Sequence, residues 1–290
     1  MNTKQISRIT KPSAPHFVGD GFRVHNFIPG TYTMQQMDPF IMLDYNSKYT
    51  FSPSDIPRGV GVHPHKGFET VTIAYKGKVE HADSTGSGGV IHEGDVQWMT
   101  AANGILHKEF HEKEWSKKGG EFQMVQLWVN LPAKDKKSNP KYQNIRNADI
   151  PKVPLTDGLG EIEVIAGTFE GHTGAASTFS PIHLLNLKLK KGAKTTLNFP
   201  ADYTTALMII EGSIKVNDKD VVPQDHFAMF KKEGETFALE APEDAVVLVL
   251  SGAPLNEPIA AHGPFVMNTR EELVEAFEDF NMGKFGYLED

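Results

Sequence analysis

Hydrophobic positions along this chain fall in short runs, and most runs stop at Gly, Pro, Asn or Asp. GFETVTIAYKGKVEH, GDVQWMTA, FQMVQLWVNL, HLLNLKLKKGAKTTLNF, TTALMIIEGSIKVND, HFAMF and AVVLVLSG are rich in β-formers and show no helical period. Runs so closely punctuated by turn residues predict antiparallel strands in sandwiches or barrels rather than a βαβ array. The pattern lapses in PAKDKKSNPKYQNIRNADIPKVP, from Pro132 to Pro154, and then restarts. That polar stretch predicts a boundary near its end, with one β domain over residues 1–154 and another over 155–290.

The far end has a different period. In MNTREELVEAFEDFNMG, Thr269 and Glu272 have capping-box spacing, and Leu273, Ala276, Phe277 and Phe280 follow i, i+3, i+4, i+7. Gly283 supplies a stop. The expected element is a short helix that packs against one of the β domains.

The two halves also resemble each other. TVTIAYKGKVEH and TALMIIEGSIKVND share a strand, a turn glycine (Gly77 and Gly212) and a second strand, which predicts a duplicated β barrel. Aligning on those glycines sets Asn198 against His63 and Pro200 against His65. Aligning EGDVQW with PQDHFA sets Phe237 against His107 and Leu239 against Glu109. On this pairing only the first half keeps a polar site.

Composition narrows the picture. A chain of 290 residues with 39% apolar and 23% charged residues fits a soluble globular protein of one or two domains. No run is long and apolar enough to span a bilayer, and MNTKQISRITKP lacks the apolar segment of a secretory signal, so the cytoplasm is expected. With no cysteine there are no disulfides, and any metal must rest on His, Asp or Glu. A formal charge of -8 argues against a general nucleic-acid surface, and the Lys117-Lys118 and Lys136-Lys137 pairs are expected in solvated loops.

VHPHKGFETVT places His63 and His65 two apart, and GDVQWMTAANGILHKEFH places His107 and Glu109 two apart. Positions i and i+2 of a strand share a face, so each pair converges on one side of its sheet. Two such pairs facing one interior bring three imidazoles and a carboxylate to a point, a donor set for Fe, Mn, Ni, Cu or Zn. Phe68, Met99, Ile105 and Phe122 are expected in the apolar wall around it. Glu69 shares strand parity with the first pair, His81 and Asp83 are candidates for a pocket mouth or a turn, and Gln97 and Trp98 for supporting or core positions. His92 and His111 are expected at the surface. His172, His183, His226 and His262 lack the paired spacing.

HPHKGFETVT, GDVQWMTAANGILHKE, QLWVNLP, KYQNI and HGPFVMNT, in this order, resemble the pirin family, a branch of the cupin superfamily. The resemblance runs from about Asp38 to Phe280. It implies an all-β bicupin: two cupin-type antiparallel barrels packed together, the C-terminal one lacking metal ligands, with a short C-terminal helix. It also implies one Fe(II) in the N-terminal barrel, held by His63, His65, His107 and Glu109, with Glu109 as the catalytic carboxylate. The carboxylate ligand of other cupins corresponds to Glu69. Many pirins have Gly where this chain has Ala102. The activity implied is an iron-dependent dioxygenase acting on quercetin-like flavonols. The competing expectation is a redox-sensitive regulator that binds a transcription factor or metabolic enzyme. A monomer without direct nucleic-acid or membrane binding is expected.

Overall fold

The structure is a computed structural model and describes residues 2–289. The chain divides into two compact units, one comprising residues 14–147 and 255–290 and the other residues 1–13 and 148–254. Each is built from a seven-stranded and a four-stranded antiparallel sheet.

In the first unit the larger sheet runs Lys141–Ile145, Val96–Thr100, Phe68–Lys76, Gly120–Asn130, Phe40–Phe51, Phe22–Ile28, His16–Val18. The smaller runs Gly59–His65, Ile105–His111, Val79–Asp83, Gly88–Ile91. The second unit repeats the scheme with Ile6–Thr10, Phe227–Phe230, Thr204–Glu211, Ala245–Gly252, Ile182–Leu189, Gly160–Ala166, Lys152–Pro154. Its smaller sheet is Lys194–Asn198, Thr236–Glu240, Ser213–Val216, Asp220–Pro223. The expected duplication is therefore present strand for strand. Phe68–Lys76 and Thr204–Glu211 lie between hydrogen-bonded neighbours and are buried along most of their length, which is why neither run alternates cleanly.

These units differ from a cut at residue 154 at both ends of the chain. Ile6–Thr10 pairs with Phe227–Phe230, taking the edge position that Lys141–Ile145 takes in the first unit. Residues 255–290, including the helix Arg270–Asn281, belong with the first unit. Hydrogen bonds tie them there: Lys66 N–H donates to the Pro264 carbonyl at 3.3 Å, and Val266 N–H to the Lys66 carbonyl at 3.0 Å. The Lys66 ammonium also pairs with Asp279 at 2.7 Å.

The capping box forms as expected: Glu272 N–H donates to Thr269 Oγ1 at 3.2 Å and Thr269 N–H to Glu272 Oε2 at 3.0 Å. The buried stripe differs. Ala276 is buried, but Phe280 is exposed and Asp279 is buried through its pairing with Lys66. Lys136 also departs from expectation. It is only 1% exposed, and its ammonium donates to the Gly67 carbonyl at 2.7 Å, Asn130 Oδ1 at 2.6 Å and the Val266 carbonyl at 3.0 Å. Burial pulls its pKa down to about 7. A polar local sequence carried no sign of the long-range carbonyls that gather here. Among the described residues no helix is long and apolar enough to cross a membrane.

Candidate metal centre

Gly59–His65 and Ile105–His111 pair antiparallel, so that His63 lies opposite His107 and His65 opposite Ile105. The register then shifts, and Glu109 comes opposite Val60. Such a bulge re-aims the side chains beyond it. Close approach of the strands requires Gly59, because a Cβ there would lie 2.2 Å from the Glu109 carbonyl oxygen.

The result is a compact histidine cluster. One ring nitrogen from each of His63, His65 and His107 lies within 4.8 Å of the others. The ring of His107 is 4.2 Å from that of His63 and 4.7 Å from that of His65, centroid to centroid. His63 Nδ1 donates to the Gly61 carbonyl at 2.8 Å, which leaves the Nε2 lone pair for another partner. His65 Nδ1 and both nitrogens of His107 are buried without a protein partner. Burial holds the pKa of both rings well below the usual range, and the neighbouring histidines push the same way; for His65 a hydrogen bond to the Pro264 backbone acts against this. Ring nitrogens that converge in this way, on rings that burial keeps neutral at His65 and His107, suit a divalent cation.

Glu109 belongs to the same interior but not to the tight three-residue cluster. Gln126 Nε2 donates to its Oε2 at 3.1 Å, and Thr72 Oγ1 to its Oε1 at 3.5 Å. Burial raises the Glu109 pKa, opposed by His63 and by the hydrogen bonds from Gln126 and Thr72. Glu69 is placed elsewhere: it accepts from Thr100 Oγ1 at 2.7 Å, and burial pushes its pKa up to about 7.

A cavity of about 320 Å³ opens beside His63, His65 and Glu109. The four residues expected in its wall are not its lining. Phe122 packs with Phe22 and Val24, while Met99 and Ile105 form a small core with Ala101. Phe68 acts at one remove, stacking on Trp128 at 4.0 Å, and Trp128 in turn meets His65 edge-on at 5.1 Å. The lining comes instead from Val18, Phe22, Val24, Met42, Val60 and Trp128, with Asp44, Asn46 and Gln126 as further polar members. The missed polar residues had one local signal, a polar side chain inside an otherwise apolar strand run.

The other candidates separate cleanly. His81 contacts Tyr142 and Gln97, and burial lowers its pKa to about 4. Asp83 closes a turn by accepting from Thr85 N–H at 2.8 Å and Ser87 N–H at 3.2 Å. Trp98 is fully buried. His92 is exposed as expected, whereas His111 is buried among Phe22, Phe51, Trp115 and Phe122, and its Nε2 donates to the Gly21 carbonyl at 2.8 Å. A histidine so enclosed by aromatic groups cannot be told from a surface one by its neighbours in sequence. Among the described residues, His172, His183, His226 and His262 join no metal-capable cluster.

Comparison with known proteins places these features in a family context. The model described as Pirin matches residues 21–129, and the model described as Pirin C-terminal cupin domain matches residues 184–286. A Pseudomonas aeruginosa protein carrying the name "Putative quercetin 2,3-dioxygenase" is 48% identical over 97% of this chain and 98% of its own length. A pirin-like protein of Caulobacter vibrioides is 38% identical over 98% of this chain and 100% of its own. Among solved structures, a quercetin 2,3-dioxygenase from Acinetobacter baumannii superposes with a TM-score of 0.94 at 49% identity, covering 99% of this chain and 100% of that one.

Proposed function

The chain belongs to the pirin family, and from that premise we propose that it is an iron-dependent dioxygenase acting on quercetin-like flavonols or a related enolisable aromatic. One observation carries the reading: three imidazoles converge on one point, two of them, His65 and His107, kept neutral by burial, and His63 and His65 open with Glu109 on a largely apolar cavity. In this reading His63, His65, His107 and Glu109 hold the cation, Fe(II) by preference over Mn, Ni, Cu or Zn. When bound, the cation supplies charge that stabilises a deprotonated substrate oxygen.

The protein's own groups do the rest. Glu109 tunes the bound hydroxyl as a ligand, and released from the cation its carboxylate is placed in the same cavity to accept the hydroxyl proton. Gln126 and Thr72 fix the direction of that carboxylate. Trp128, Phe22 and Val24 offer flat apolar surface to an aromatic ring and displace water from around it. All of these residues come from residues 14–147 of one chain, so the site is complete without a second copy.

The test is metal analysis of protein purified from its own host, followed by dioxygen uptake with a flavonol panel on the iron-loaded protein and on His63→Ala. Uptake with ring-opened product, absent in the variant, is expected. Full iron occupancy without uptake overturns the enzymatic reading. In that case, partner capture that differs between the ferrous and ferric forms supports the regulatory one.

A further inference from the structure

One polar group of the cavity has no role in holding a cation. Asn46 lies on Phe40–Phe51 two residues beyond Asp44, and so on the same face of the strand. It is 2% exposed, it lines the cavity, and neither its Oδ1 nor its Nδ2 has a partner in the protein. Its polar neighbours are already engaged. Asn26 Nδ2 donates to Asp44 Oδ1 at 2.7 Å, and Gln126 is turned to Glu109. A buried amide with both ends unsatisfied destabilises the fold, so its presence calls for a partner that the chain does not supply.

The chemistry of that partner follows from the amide. It offers one acceptor and one donor side by side, and a hydroxyl group, which donates and accepts through one oxygen, can satisfy both. The surrounding wall is apolar, with Met42, Val24 and Phe22. Asn46 stands on the seven-stranded sheet and the histidines on the four-stranded one. We infer that Asn46 is a specificity-determining residue that binds a hydroxyl on the substrate ring remote from the oxygen facing the histidines. The inference rests on the flavonol reading above and adds which flavonols the cavity prefers. A site built to hydrogen-bond a hydroxyl discriminates against the analogue lacking it, since its own polar atoms then stay unpaired.

The experiment compares two flavonols that share the chelating enolone ring and differ only in hydroxylation of the pendant ring. Binding to iron-loaded protein with dioxygen excluded is read by quenching of tryptophan fluorescence, for the native chain and for Asn46→Leu. The native chain is expected to bind the hydroxylated compound about tenfold more tightly, the net worth of one hydrogen bond. In Asn46→Leu that preference should fall below about twofold, while metal content is unchanged and the thermal midpoint rises because an unpaired buried amide has gone. A preference that survives in Asn46→Leu, or none in the native chain, overturns the inference and leaves the flavonol reading intact. Failure of the native chain to bind either compound overturns both. If Asn46→Leu does not fold, Asn46→Ala is put through the same comparison, with the same outcomes decisive.

Discussion

At matching points of the two four-stranded sheets, His63 faces His107 in the first unit and Leu197 faces Phe237 in the second. The strand order is the same, yet the interiors are opposite. The second unit fills its space with Leu197, Phe199, Phe237, Leu239 and their neighbours in one large apolar core. The first keeps buried polar atoms without protein partners on Asn46, Thr70, Gln97 and His107, and among the described residues no such atom occurs in the second unit. A shared architecture therefore supports either a core or a site. The site version gives up apolar burial, worth about 1.5–3 kcal/mol per large side chain, to keep lone pairs available.

The largest expected difference between the units is in metal retention. His107→Ala should remove bound metal, lowering affinity more than about 100-fold, since even supporting residues cost 10–100-fold. Metal content measured by mass spectrometry should be unchanged in Phe237→Ala. Loss of metal in both variants breaks the contrast. The complementary effect is on stability: Phe237→Ala should cost about 3–5 kcal/mol in denaturant unfolding, as a large core truncation does.

Acid should expose the polar unit next. Burial holds His81 and His111 at about 4, below the value near 6.5 that an exposed histidine has. Between those values the unfolded chain takes up protons that the folded chain does not. Stability present above pH 6.5 is thus lost as pH falls toward 4, by up to about 3 kcal/mol per group. Unfolding of metal-free protein followed from pH 7 to 4 should show this, and His111→Phe should remove part of the slope. An unchanged slope counts against the buried neutral state of His111.

A smaller effect divides the two carboxylates. Glu109→Gln should weaken metal binding about 10–100-fold by calorimetric titration, while Glu69→Gln should leave it within about twofold, because Glu69 is engaged with Thr100. The reverse order would move the ligand role to Glu69. The smallest effect concerns Ala102, which has φ of 41° and whose carbonyl accepts from Gly67 N–H at 2.8 Å. Relief of left-handed strain in Ala102→Gly, offset by a looser unfolded chain, should raise stability by about 1 kcal/mol or less in thermal unfolding, without changing metal content.

Some of this was legible in the sequence because it depends on local period. Strand runs, the capping box at Thr269 and Glu272, and the pairing of His63 with His65 and of His107 with Glu109 on common faces all follow from residues a few positions apart. The repeat was legible as well, but with a slip: alignment set Asn198 against His63, whereas strand pairing puts Leu197 in that place. With a side-chain period of two, a slip of one residue turns the comparison to the wrong face.

Tertiary structure alone decided what depends on distant chain segments. It brought Phe22 and Val24 from near the start of the chain into the cavity wall, and Gln126 onto Glu109. It enclosed His111 in aromatic rings and Lys136 among carbonyls, and it assigned residues 1–13 and 255–290 to different units. Local patterning dictates which way a side chain points from its own strand. What that side chain meets is set by pairing and packing between residues far apart in the chain, and those contacts leave no local period to read.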